Sequence, residues 1–206
     1  MSDDHPVRQR VLGIDPGLTR CGVGVLDGPA HRPRVVAATC LRTDASRPTA
    51  ERLLELQQQL EALIDEHAPT AVACERVLFS NNVRTAMATG QALGVALVAA
   101  ARAGVAVVEY SPTDVKLTVA GHGGAGKDAV GRMTAAQLRL DETPRPADVA
   151  DALAVALCHL GRSRPGSPVP TAGRRGGDWS AVLDNPHVRV AGGTAPMKDP
   201  TAGGTP

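Results

Sequence analysis

The segment that most limits the fold is PADVADALAVALCHL, Pro146 to Leu160. It is apolar nearly all the way round, and a helix of that kind is a buried element rather than a surface one. Asp148 and Asp151 lie three residues apart and share one helical face. That face continues through Ala152 and Val155, so it looks inward. An inward carboxylate in an apolar helix is expensive unless something pairs with it. Whatever this chain folds into must bury the helix and still satisfy its acids.

The rest of the chain supplies a sheet for that helix to cover. Residues 10–15 read as a buried strand, and 22–26 and 35–41 as two more, a three-stranded meander. Residues 51–66 carry leucines at helical spacing with polar residues opposite. Pro69 breaks that helix, and TAVACE, 70–75, is a short buried strand. Asn82 can cap a long Ala-, Gly- and Val-rich helix over about 83–103. Residues 105–110 form a fifth strand, and Ser111-Pro112 opens a capped helix. A Gly-rich turn at 121–126 precedes another helix to about 140, and the last runs from about Pro146 to His159. This order predicts an α/β layered domain with a mixed sheet of about five strands flanked by helices. Residues 161–206, rich in Gly, Pro, Arg, Ser and Thr, read as a disordered tail, and 1–9 as a flexible N-terminus, leaving 10–160 as the folded domain.

Two further acids have the same character as the helical pair. Asp15 ends the first strand and Glu75 ends the fourth. Period-two alternation puts Val11, Gly13 and Asp15 on one face, and Ala71, Ala73 and Glu75 on one face. Small residues precede both acids there, so a helix can approach closely and bring Asp148 and Asp151 to them. Each acid also has an ordinary explanation: a turn residue for Asp15, a solvated strand end for Glu75, the favourable first helical turn for Asp148. Asp151 is hardest to explain that way. A divalent cation suits several carboxylates together, and hard oxygen ligands suit Mg2+ or Mn2+. Two metals held by such a cluster are the arrangement for phosphodiester hydrolysis.

Composition adds exclusions. Net charge is +1, so any nucleic-acid site has to be a local patch. No apolar h-region opens the chain, and no apolar run looks long and pure enough to span a membrane, which together point to a cytoplasmic protein. Four cysteines without a C-x-x-C pair read as buried free thiols. Phe79, Tyr110 and Trp179 are the only aromatics, so the core is built from Ala, Val, Leu and Ile.

GIDPGLTRCG, ACERVLFSNN, GQALGVALVAAA, SPTDVKLTVAGHGGAGKDAV and PADVADALAVALCH, in that order over roughly residues 10–160, resemble the successive motifs of the bacterial RuvC-type Holliday-junction resolvases. The resemblance implies an RNase H-like fold and a homodimeric, Mg2+-dependent endonuclease. It would nick two strands of like polarity in four-way junction DNA during recombination and repair, alongside the RuvA–RuvB branch-migration complex. The family's catalytic, metal-holding acids fall on Asp15, Glu75, Asp148 and Asp151, with two Mg2+ per site and Mn2+ as a substitute. Lys116 and Lys127 fall where the family places basic residues near the cleaved strand, although two solvated helix lysines would look the same. Arg76, Phe79 and Asn82, in or next to the loop after the fourth strand, are further DNA-binding candidates. The family often carries an aromatic at the place of Leu78; here Phe79 follows it, either to stack on a base or to pack under the loop. The helix at 83–103 is implied as the dimer contact, with close packing on its own sheet as the other explanation of its small residues. Two other functions compete: an actin-like or sugar-kinase-type ATP-binding protein, suggested by GIDPGLTRCGVGV, and a junction-binding scaffold without catalysis.

Overall fold

The computed structural model describes residues 9–76 and 82–163. Phe79, Leu78, Trp179, Arg174, Arg175, Lys198, residues 1–8 and the segment from 164 onward lie outside them. The chain begins with a meander, β1 (Arg10–Asp15), β2 (Arg20–Asp27) and β3 (Arg34–Arg42), followed by α1 (Thr49–His67), β4 (Ala71–Glu75) and α2 (Val83–Arg102). It continues with β5 (Ala106–Tyr110), α3 (Pro112–Ala120), α4 (Lys127–Leu138) and α5 (Ala147–Arg162). The five strands form one sheet in the order β3-β2-β1-β4-β5. β1 runs antiparallel to β2 and parallel to β4, and β4 is parallel to β5, so the sheet is mixed.

The local signals act where expected. Asn82 caps α2 by accepting from the Thr85 amide, and Ser111 with Asp114 forms a capping box ahead of Pro112. Most boundaries shift by a residue or two, and two of the shifts have a clear cause. β2 begins at Arg20 rather than Gly22, because pairing with β3 starts at Arg20↔Arg42. α5 runs to Arg162, through the first two residues assigned to the tail: its packing ends at Leu160, but Arg162 pairs with Asp114 of α3 at 3.1 Å and holds the last turn.

The alternation along the strands divides the core into two layers. Val11, Leu26 and Ala73 face α5, α3 and α4, while Leu12, Ile14, Val23, Val72 and Cys74 face α1 and α2. α5 is the most buried helix, with eleven residues from Val149 to Leu160 out of solvent. Each fully buried Leu or Val in it contributes roughly 1.5–3 kcal/mol of transfer free energy. Its close approach to the sheet depends on three glycines. A Cβ at Gly13 would overlap the Ala152 carbonyl, one at Gly22 the Asp148 carbonyl, and one at Gly24 would sit 2.6 Å from Leu153 Cδ2. Gly13 pairs with Gly24, and Asp15 with Gly22, so on these rungs only Asp15 projects a side chain, and three glycines form a floor under the first turns of α5.

α2 corrects the expectation that no run was apolar enough to span a membrane. By length and hydropathy it is long enough to do so, yet only 28% of that window is buried, so much of it faces away from its own sheet. Ala92, Ala96, Ala99 and Ala100 pack inward. Gly90 and Gly94 do not: a Cβ on either would meet nothing.

Candidate active site

Asp15 and Glu75 end neighbouring parallel strands whose register, Gly13↔Ala73 and Ile14↔Cys74, carries on to the two acids. Asp15 shares its face with Val11 and Gly13, and Glu75 with Ala73, so both carboxylates lie on the α5 side. The glycine floor sets the first turns of α5 down there, with Asp148 directly above the Asp15–Gly22 rung. The four acids, from three separated stretches of chain, thus meet at the carboxyl edge of the central strands. In open α/β sheets, that edge is where ligands bind.

The electrostatics record the convergence. Burial raises the Asp15 carboxyl from its ordinary 3.8 to about 7, and Asp151, Glu75 and Asp148 each add like-charge repulsion. Burial also raises Glu75, with Asp151 adding to it and Lys127 and Lys116 opposing it. Lys127 opens α4 and places Nζ 2.6 Å from Asp151 Oδ2. A cation is disfavoured at a helix N-terminus, so the acid rather than the helix holds it there. Its ammonium is raised, chiefly by that hydrogen bond. Arg20 lies beside the fourth acid, Nε 3.2 Å from Asp148 Oδ2.

Lys116, on α3, sits close enough for its charge to act on Glu75. Two candidates stand apart from this cluster. Arg76 follows Glu75 but its charge acts on Asp114 at the start of α3, and its amide extends the sheet by donating to the Tyr110 carbonyl. Asn82 caps α2. Phe79 lies outside the described residues. The sequence reading anticipated close helix packing at Gly13 but missed Arg20 and the part that Gly22 and Gly24 play in the glycine floor. The alternation Gly22-x-Gly24 in a strand was the available signal, since strand glycines mark close approach of another backbone.

The donor set fits a hard divalent cation, being all carboxylate oxygen. Asp148 Oδ2 is buried and accepts no hydrogen bond from the described residues, despite its nearness to Arg20. Among the described residues, no three His, Cys, Asp or Glu side chains are gathered tightly enough to hold an ion as they stand. Lys127 and Arg20 instead provide the positive charge beside the two α5 acids.

Fold and site together define a class: an RNase H-like α/β domain with an acidic centre at the ends of its two middle parallel strands. The family model for "Crossover junction endodeoxyribonuclease RuvC" matches residues 11–159. The enzyme of that name from Nocardioides sp. is 54% identical over 154 residues, 74% of this chain and 87% of the relative. The one from Salinispora arenicola is 52% identical over 172 residues, 82% of this chain and 98% of the relative. Among solved structures, Thermus thermophilus RuvC in complex with Holliday junction substrate is similar at TM-score 0.70 and 40% identity, covering 73% of this chain and 92% of that one. The yeast mitochondrial Holliday junction resolvase Ydc2 shares the fold at TM-score 0.55 and 14% identity, covering 78% of this chain and 82% of that one. The chain belongs to the RuvC family of crossover junction endodeoxyribonucleases. Membership sets aside the ATP-binding alternative.

Proposed function

We propose that this protein resolves four-way DNA junctions by paired phosphodiester cleavage at the acidic centre, with Asp15, Glu75, Asp148 and Asp151 holding two Mg2+ ions. The observation that carries the reading is the convergence of these four carboxylates, whose mutual repulsion is felt at Asp15, in a chain of this family. Bound there, Mg2+, or Mn2+ in its place, supplies Lewis acidity at the phosphate and a more acidic attacking water. The protein's own groups do the rest. The strand ends and the buried base of α5 fix the acids, so little reorganisation is left for the reaction. Lys127 and Lys116 balance the acids' charge and can turn to the phosphate as the acids engage metal. A compact ammonium suits that exchange.

A homodimer completes the reading, since two identical sites related by a two-fold axis match two symmetry-related strands. The outward stripe of α2 supports it: Val83, Met87 and Val98 are 68%, 62% and 52% exposed, with Gly90 and Gly94 open between them. Partnership with the RuvA–RuvB branch-migration complex rests on family membership alone.

The test is cleavage of a synthetic four-way junction with Mg2+ and with EDTA. The wild-type protein cuts it into nicked duplexes only with the metal. Asp151→Asn binds the junction and does not cut. Cutting at the wild-type rate by that variant would refute the assignment, and loss of neither binding nor biological activity would favour the scaffold alternative.

A further inference from the structure

Beside the acidic centre, on the α1/α2 side of Asp148, lies a groove of about 480 Å³. Arg20, Arg52 and Arg84 line it, with the hydroxyl-bearing Thr19 and Thr85 between them. Among the described residues the only carboxylate on its wall is Asp148. A fourth arginine, Arg42, stands directly opposite Arg20 across the β2–β3 ladder. Like charges in that position destabilise a sheet, and grouped guanidiniums repel one another unless an anion lies between them.

Arg20 pairs with Asp148, but the other two groove arginines carry no counter-charge among the described residues. Arg52 is braced by two hydroxyls, donating from Nε to Thr43 and from its terminal nitrogen to Thr19, at 3.0 and 2.8 Å. That fixes a guanidinium in position without neutralising it. Arg84 is exposed in the first turn of α2, where a cation is unfavourable to the helix. No ion pair is formed by Arg84 or Arg52 among the described residues. By contrast Arg47, just ahead of α1, pairs with Glu51 and Glu55, and Arg102, at the end of α2, pairs with Glu61. The groove also receives the amino end of α2, whose dipole adds positive potential.

We propose that this groove is a second phosphate-binding subsite, resting on the function proposed above. It takes a backbone phosphate of the junction strand next to the phosphate that is cut. Arg84 and Arg52 grip it from the α2 and α1 sides, and Arg20 links it to the acidic centre through Asp148. The cut strand then runs from the lysine side, Lys116 and Lys127, across the four acids and into the arginine groove. The site reads DNA shape and charge and contributes no base discrimination.

The experiment measures binding of the full chain to a synthetic four-way junction by fluorescence anisotropy in EDTA, over a range of salt. Phosphate-ethylation interference maps the contacts. The variants are Arg84→Gln and, as a control at the far end of α2, Arg102→Gln. Removing one phosphate contact lowers the slope of log affinity against log salt by about 0.9 per altered site. Arg84→Gln therefore flattens the slope by that amount, weakens binding about tenfold, and erases interference at one phosphate beside the cut position. Its melting temperature is unchanged, since Arg84 is exposed and makes no stabilising pair. Arg102→Gln leaves slope and interference as in the wild type. If Arg84→Gln keeps the wild-type slope and interference pattern, or if Arg102→Gln flattens the slope equally, the subsite is wrong while junction cleavage stands. If the wild-type protein neither prefers nor cuts the junction, the proposed function itself fails, and the subsite with it.

Discussion

Replacing Gly22 by alanine tests how the site is assembled. Gly22 lies in β2 under the first turn of α5, and its added Cβ would overlap the Asp148 carbonyl and approach Val149 N to 3.1 Å. Two effects compete. Alanine lowers the entropy of the unfolded chain and stabilises by about 0.4–1 kcal/mol where it fits. Overpacking against backbone costs about 1–3 kcal/mol or more, because a carbonyl on a packed helix cannot rotate away. The second effect wins by about 1–2 kcal/mol. For a domain of this size each kcal/mol lowers the melting temperature by about 2–4 °C, so a drop of about 2–8 °C is expected. The larger consequence is functional. To relieve the overlap α5 must lift at its first turn, carrying Asp148 and Asp151 away from Asp15 and Glu75. Misplacement by about 1 Å can cost on the order of 100-fold in rate. Gly24→Ala is the matched control: its Cβ meets mainly the Leu153 side chain, at 2.6 and 2.8 Å, a flexible group that can repack. Junction cleavage at saturating Mg2+, alongside thermal melts, separates the two. Gly22→Ala should lose far more activity than Gly24→Ala for a comparable loss of stability. Equal activities at equal stability, or a wild-type melt for Gly22→Ala, would refute the idea that a glycine floor sets the α5 acids.

Two further outcomes follow from the charges and the surface. Asp15 is raised from 3.8 to about 7 in the fold, so between those values the folded state holds a proton that the unfolded chain has lost. Stability in EDTA therefore falls as pH rises from about 4 through 7, and Asp15→Asn, which has no such proton to lose, melts higher than wild type at pH 8 but not at pH 4. A wild-type melt that does not decline relative to the variant over that window would show that Asp15 is not crowded by its neighbours. On α2, Met87→Glu puts a charge in the exposed apolar stripe; analytical ultracentrifugation should find the wild type dimeric and the variant shifted to monomer, and an unshifted variant would move the contact elsewhere.

What could be read from residues alone depended on how local the signal was. Strand alternation in β1 and β4 put Asp15 on one face with Gly13 and Glu75 on one face with Ala73, and the small residues marked that face as the one α5 covers. Caps at Asn82 and Ser111 were legible for the same reason, as each involves neighbours three residues away. The Arg20–Asp148 contact was not, since it joins residues 128 positions apart and arises only once α5 lies over β2. The arginine groove was equally hidden: nothing in the spacing of Arg20, Arg52 and Arg84 relates them until β2, α1 and α2 are assembled. Of the two explanations for the small residues of α2, close packing on its own sheet holds for the inward alanines, while Gly90 and Gly94 meet nothing within the chain and are left to the proposed dimer contact.

The order of the elements has a consequence for how the protein is made. Asp15 emerges first from the ribosome and Asp151 last, on the helix that also fills one side of the core. A nascent or prematurely terminated chain lacking α5 would have half its acids and an uncovered sheet, so it could neither fold stably nor cut. The proposed centre is thereby complete only once the chain has been made through α5, so its assembly is tied to the burial of the sheet.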